Sequence, residues 1–286
     1  MKQLDKDIPA TLIGRKSLAT DSCALPLVRR VSALLNYSTP LAVGDILPRG
    51  WHMALFTPTV SQRSLGPDGL PQDDTLLPHP DPIAMPRKVL GGRRTQFKGD
   101  LIIGMDVRRE SEIVSASMKN GRSGPLLFVT VRSSIFAEGA SEPVIIEDQD
   151  SIFREAPKAS ESRNVEASGE EPRRPASISK ELIFDTTMLF RYSAITFNAH
   201  RIHYDYPYAT TQEGYDGLLV NGGLPALLLL ELIREQGVQP QVVTARNFRP
   251  LYCGKKTLLC ATLGAEAWHL WAENDVGQIT LEVTVT

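Results

Sequence analysis

Gly222-Gly223-Leu224-Pro225-Ala226-Leu227-Leu228-Leu229-Leu230-Glu231-Leu232-Ile233-Arg234-Glu235-Gln236-Gly237 is the stretch that decides the fold. It reads as one helix. Pro225 falls in the first turn, where its missing N–H costs little, and Gly237 makes a natural C-terminal stop. Apolar residues occupy almost every face, and a helix apolar all round lies inside a core rather than on a surface. A sheet wrapped around one central helix buries it in this way. The apolar run 224–233 is ten residues long and contains Glu231, whereas a bilayer span needs roughly 20 apolar residues. No membrane crossing is expected.

Downstream, Tyr252-Cys253-Gly254-Lys255 precedes β-type runs at 258–263, 267–272 and 279–285, with the turn Asn274-Asp275 between the last two. Thr280-Leu281-Glu282-Val283-Thr284-Val285 alternates with period two, as a strand with one buried face does. The first half ends similarly: Phe97-Lys98-Gly99-Asp100 precedes runs at 113–118 and 126–131, separated by Asn120-Gly121-Arg122-Ser123-Gly124. The parallel suggests a diverged internal repeat. Residues 156–177 have almost nothing to bury, so they read as a linker between domains at 1–155 and 178–286. Residues 57–86 contain seven prolines and no periodic apolar pattern, which fits a lid over a ligand tunnel or simple disorder.

The chain has 286 residues, 42% hydrophobic and 22% charged, enough for two cores of ordinary size. A formal charge of -2 with dispersed Lys and Arg argues against a nucleic-acid partner. Cys23, Cys253 and Cys260 lack CxxC spacing and are odd in number, which fits neither a disulfide framework nor structural zinc. The charged start does not look like a secretory signal. A cytoplasmic protein is expected, with a mitochondrial one as the alternative.

Two of the five histidines, His200 and His203, lie three residues apart in a cluster that also holds Asn198, Arg201, Tyr204 and Asp205. In a helical segment they share a face. Histidine is the side chain best suited to moving protons near neutral pH. The spacing also fits hydrogen-bonded structural histidines. A metal site fits less well, because further ligands are not evident nearby.

The stretch Phe190-Arg191-Tyr192-Ser193-Ala194-Ile195-Thr196-Phe197-Asn198-Ala199-His200-Arg201-Ile202-His203-Tyr204-Asp205 resembles the MaoC-like dehydratases. The branch it looks closest to holds the double-domain mesaconyl-CoA and itaconyl-CoA hydratases and the hydroxyacyl-thioester dehydratases of fatty acid synthesis. Gly217-Leu218-Leu219-Val220-Asn221-Gly222 is similar to the branch's motif leading into its helix. Pro86-Arg87-Lys88, Gly91-Gly92-Arg93-Arg94 and Gly121-Arg122-Ser123-Gly124-Pro125-Leu126-Leu127-Phe128-Val129-Thr130-Val131 are similar too. The resemblance implies an α+β chain of two fused hot-dog domains, each an antiparallel sheet wrapped around a central helix.

It also implies a hydratase or dehydratase of acyl-thioesters needing no cofactor beyond coenzyme A or acyl carrier protein as part of the substrate. The wider family uses an Asp and a His five residues apart, and here that spacing falls on Asn198 and His203. Asparagine cannot be a base. The expected roles are therefore His203 as general acid/base and Asn198 as orienter of water or substrate, with Asp205 or His200 orienting His203. Asn221 stands where the branch usually has histidine. Backbone N–H groups at Gly222 and Gly223 suit an enolate oxygen at a helix N-terminus.

Arg87, Lys88, Arg93, Arg94, Lys255 and Lys256 are candidates for coenzyme A phosphates, and Arg191, Arg201 and Arg249 for a substrate carboxylate. Arg201, Arg93, Arg94, Asn221 and Tyr204 complete the expected substrate contacts, and no metal is expected. The first half offers only His52 and His79, neither in a comparable cluster, and is expected to shape the tunnel. A homodimer is possible. Two rival readings are a thioesterase, which normally wants a carboxylate base by the helix, and a weakly catalytic thioester-binding protein, which Asn198 and Asn221 keep open.

Overall fold

The computed structural model describes residues 8–72, 76–77, 85, 87–121, 124–155 and 174–286. In the first half these form α1 (Ile8–Leu12), β1 (Lys16–Ser22), α2 (Leu25–Leu35), β2 (Arg87–Phe97), β3 (Asp106–Gly121), β4 (Gly124–Ala137) and β5 (Ile145–Arg154). The second half holds β6 (Ile178–Ile183), α3 (Thr186–Ile195), α4 (Gly223–Arg234), β7 (Val242–Asn247), β8 (Lys256–Leu263), β9 (Trp268–Glu273) and β10 (Ile279–Val285). Of the expected linker 156–177, residues 156–173 lie outside the described residues.

The strands form one ten-stranded sheet in the order β1-β3-β4-β5-β2-β7-β10-β9-β8-β6. Each half contributes its strands in the order first, third, fourth, fifth, second, so the internal repeat is real at the level of topology. All pairings are antiparallel. The halves meet where β2 pairs with β7, with Arg93 opposite Ala245 and Gly92 opposite Arg246. A bulge lies between Leu90 and Gly92. A Cβ on Gly92 would lie 2.5 Å from the Ala245 carbonyl oxygen, so part of the Gly91-Gly92 motif serves this seam.

The wrapped helix is α4. Leu224, Pro225, Leu227, Leu229, Leu230, Leu232 and Ile233 are buried, and the helix packs on β8, β9 and β10. Glu231 fits into this apolar helix because the first half supplies its partner: Trp51 Nε1 donates to its carboxylate at 2.8 Å, and Arg234 pairs with it at 3.1 Å. The main core crosses both halves, running from Val28, Trp51 and Phe97 to Leu224, Leu259 and Val283. In the first half, the longest helix among the described residues is α2, which follows the first strand as α3 does in the second. No α-helix is described between α2 and β2, so the counterpart of α4 is absent among the described residues.

No helix among the described residues is long and apolar enough to cross a membrane. All three cysteines are free.

Candidate active site

The site begins with the way α3 ends. Asp185 caps its start, accepting from the Met188 N–H at 2.7 Å. At its end, Phe197 takes a left-handed conformation (φ 48), and the Asn198 N–H returns to the Ser193 carbonyl at 2.8 Å. This is the Schellman termination, usually built on glycine. A left-handed non-glycine residue costs about 1–2 kcal/mol. The turn folds the following segment back toward the start of α4.

Asn198 and Asn221 meet there. The His200 N–H donates to Asn198 Oδ1 at 2.9 Å, which orients the amide so that Nδ2 donates to Asn221 Oδ1 at 3.0 Å. Asn221 Nδ2 in turn donates to Ser193 Oγ at 3.2 Å. Both asparagines are therefore oriented by protein partners, and one Asn198 amide hydrogen is not used by this chain of bonds.

His203 closes a 3-10 turn, Arg201–His203, and is 7% exposed. Its ring stands edge-on to that of His200 with centroids 5.5 Å apart. Its Nδ1 lies 2.9 Å from the Leu219 carbonyl oxygen. A carbonyl only accepts, so Nδ1 carries the proton and Nε2 keeps a lone pair. Burial pushes the His203 pKa down to about 4, against the opposing pull of the Leu219 carbonyl and with help from His200. Burial also lowers His200 to about 4. At neutral pH the pair is uncharged, and His203 can accept a proton at Nε2. The first N–H groups of α4 have no partners within the helix. A Cβ on Gly223 would fall 2.2 Å from the Tyr192 hydroxyl, so glycine there makes room for Tyr192.

The family description "hydroxyacyl-thioester dehydratase type 2" matches residues 50–253, which span the first half from Gly50 onward, this site and the helix α4. The chain belongs to that family. The chain is 38% identical over 275 residues to mesaconyl-C(4)-CoA hydratase of Chloroflexus aurantiacus, covering 96% of this chain and 95% of that one. Its fold is similar to HtdX of Mycobacterium tuberculosis, with a TM-score of 0.66, 16% identity, and 95% of this chain and 99% of that one covered. A second Mycobacterium tuberculosis protein, described as a double hotdog fold, matches with a TM-score of 0.59, 12% identity, and 96% and 95% of the two chains covered. The chain is thus a MaoC-like, double hot-dog hydro-lyase.

Several expected contacts turn out differently. Asp205 does not orient His203: its carboxylate accepts from Arg201 Nε at 2.9 Å and Nη2 at 2.7 Å, and from the Tyr208 N–H at 3.1 Å. The orienting group is the Leu219 carbonyl. Arg201 is engaged within the protein, since it also donates to the Pro67 carbonyl at 2.7 Å and lies 4.0 Å from the Tyr208 ring centroid. The Tyr204 hydroxyl donates to the Ala199 carbonyl at 3.0 Å and so braces the site segment.

The expected phosphate partners other than Arg93 are also committed to contacts within the chain. Strand alternation puts Arg93 and Arg94 on opposite faces of β2. Arg94 is on the outer face, paired with Asp150 at 2.8 Å, and is not brought to the cluster. Arg87 pairs with Glu213, Lys255 with Asp275 and Lys256 with Glu181, while Lys88 lies over the Phe153 ring. Arg249 donates to the Ile279 carbonyl, and Arg191 is exposed.

The proline-rich segment supplies a contact that sequence reasoning left unspecified. Of residues 57–86, residues 73–75, 78–84 and 86 lie outside the described residues, among them His79. The turn 66–70 docks on the site segment, with the Arg201 N–H donating to the Asp68 carbonyl at 2.8 Å. Gly69 has φ +86, and a Cβ there would lie 1.9 Å from the Ala199 carbonyl oxygen. Only glycine permits this approach. Gly69→Ala is expected to lift the turn and cut kcat/KM on the order of tenfold through loss of positioning. Its melting temperature should stay near wild type, because the turn lies outside the main core. Steady-state kinetics beside a melting curve checks this; unchanged kcat/KM contradicts the clamp.

His52 is not the isolated residue that the sequence suggested. It is buried with its Nε2 3.3 Å from Glu147 Oε2, the same oxygen that accepts from Thr95 Oγ1 at 3.0 Å. Arg93 Nε lies 3.9 Å from Glu147 Oε1. Burial alone raises the Glu147 pKa, but Arg93, His52 and Thr95 together hold it well below the usual carboxylate range. No group of three or more His, Cys, Asp or Glu side chains among the described residues is placed to hold a metal ion.

Proposed function

We propose that this hydro-lyase adds water reversibly to an α,β-unsaturated acyl-CoA of the mesaconyl-CoA or itaconyl-CoA kind. The observation that carries the mechanism is the buried, neutral His203 with Nδ1–H held by the Leu219 carbonyl. Its Nε2 takes a proton from water as the water oxygen bonds to the β-carbon. The π electrons move onto the thioester oxygen, which the first N–H groups of α4 at Gly222 and Gly223 stabilise. The enolate then collapses and takes the proton from His203 at the α-carbon, leaving the base as it began. Burial keeps the imidazolium short-lived. Asn198 aligns the water through its remaining amide hydrogen, with Asn221 and His200 fixing that amide. This sequence of steps needs no cofactor. The mesaconyl preference is supported by the 38% identity to the hydratase of that substrate.

The family description supports a second reading, a 3-hydroxyacyl thioester carried on acyl carrier protein. Mass spectrometry of mesaconyl-, itaconyl- and crotonyl-CoA incubated with the protein is expected to show gain of one water on at least the first. No gain on any of them, with loss of water from a 3-hydroxyacyl-acyl carrier protein, moves the substrate to the carrier protein. Tight binding without turnover of either identifies a binding protein.

The acid limb of the rate profile provides a further check. His203 must be neutral to start the reaction in either direction, and its pKa is pushed down to about 4. kcat/KM is therefore expected to stay flat as pH falls from 8 to about 5 and to drop through pH 4. A midpoint near 6.5, the ordinary histidine value, contradicts a buried base.

A further inference from the structure

Arg93 lies on the inner face of β2, beside the seam that carries the start of α4. Its strand partner Ala245 belongs to β7 of the other half. Two positions further along β7, the Asn247 side chain lies close to Gly222, with Leu90 of β2 nearby. Tyr192, only 4% exposed, packs beside the start of α4. Its hydroxyl sits against Gly223, and Arg93 and Glu147 both act electrostatically on it. Arg93, opposite Ala245, and Gly222, against Asn247, thus lie along the same stretch of the seam between β2 and β7.

The guanidinium is held by one edge. Nε and Nη2 donate to Gln149 Oε1 at 3.2 and 2.8 Å, and Nη1 donates to none of the described residues. Its side chain is 31% exposed, against 17% for Glu147 and 8% for His52. The polar cluster is therefore open at Arg93. The other arginines considered as carboxylate partners differ in this respect: Arg201 is occupied by Asp205 and Pro67, Arg249 bonds a carbonyl, and Arg191 is exposed.

We propose that Arg93 is the specificity-determining residue that receives the free carboxylate at the far end of a dicarboxylic monothioester, with Gln149 and Glu147 fixing its fork. This rests on the hydratase reading above and names the feature of the substrate that the protein selects. An arginine fork suits a planar carboxylate. Glu147 tempers the charge, so that a monocarboxylic acyl group lacking the anion leaves an already paired cation behind rather than a bare one.

The test is the preference ratio, kcat/KM for mesaconyl-CoA divided by kcat/KM for crotonyl-CoA, whose acyl group carries no carboxylate. Loss of a charge-assisted bond predicts that Arg93→Gln lowers this ratio about tenfold to a hundredfold, mainly through the KM for mesaconyl-CoA. Arg93→Lys keeps the charge without the fork and should lower it less. A wild-type ratio in Arg93→Gln overturns the assignment; if that variant does not fold, a wild-type ratio in Arg93→Lys does so.

Should the wild type hydrate neither thioester, the hydratase reading fails on its own. The assignment is then decided by titrating both thioesters into His203→Ala with and without Arg93→Gln. A preference for mesaconyl-CoA that disappears with Arg93 supports the assignment. Equal affinities, or no binding of either, overturn it.

Discussion

His203→Ala is expected to lower kcat for hydration by about 10²- to 10⁴-fold, the range contributed by a positioned acid/base, with a smaller change in KM. The argument rests on the ring's single orientation. The Leu219 carbonyl fixes Nδ1–H at 2.9 Å, and Leu219 is itself held by its N–H on the Ile202 carbonyl at 3.0 Å. Alanine removes both the lone pair at Nε2 and this tie. His203→Gln separates the two effects, because its amide can donate to the same carbonyl but cannot take up a proton, so it should be nearly as slow as alanine while binding substrate better. His200→Ala should cost far less, about tenfold or below, since His200 holds Asn198 through its main-chain N–H, which alanine retains. Single-turnover kinetics with mesaconyl-CoA measures all three. Turnover of His203→Ala within a few-fold of wild type would move the base to another residue.

The sequence makes α4 legible because an apolar run with proline at its start and glycine beyond its end has few alternatives. The meander β8–β10 is legible for a related reason: its inner faces carry Leu259, Leu270, Leu281 and Val283, all buried, and a turn separates the last two strands. Strands β2 and β5 are hidden because their inner positions are Arg93 and Thr95 on one and Glu147 and Gln149 on the other. These side chains satisfy one another across the pair, so period-two hydrophobicity is broken exactly where the interior is polar. Helix α3 is short, and the left-handed residue just beyond its end is Phe197, where glycine would have signalled a stop.

The site was legible in part. His203 and Asn198 stand out by spacing and by resemblance. The Leu219 carbonyl that orients His203 is main chain and leaves no mark in side-chain identity. Asp205, a carboxylate close in sequence, is the plausible but mistaken choice, because its neighbour Arg201 takes it through an (i, i+4) pair. The clamp from Gly69 depends on a contact between residues 69 and 199, which no local pattern encodes. The cluster around His52 likewise joins residues from three separate segments.

That cluster predicts the largest change in stability. Glu147→Ala is expected to destabilise the fold by about 3 kcal/mol, the lower end of the cost of removing one partner from a buried ion pair. The lower end applies because Arg93 is 31% exposed and water can reach it. The Thr95 hydroxyl and the His52 ring, both buried, lose their acceptor with little water to replace it. Glu147→Gln keeps an acceptor for Thr95 and should cost less. The pH dependence distinguishes an ion pair from simple packing. The Glu147 pKa is held below its ordinary value of 4.5, so its contribution is fully present above pH 4.5 and is lost as pH falls toward the folded-state value. His203 and His200, moved from 6.5 to about 4, withdraw stability between those two values in wild type and variant alike. The gap between the two proteins in denaturant midpoint should therefore hold constant from pH 8 to 5 and narrow below 4.5. A gap that persists undiminished at pH 3 would identify Glu147 as a packing residue, and no gap at pH 7 would remove the ion pair from the account of the first half's interior.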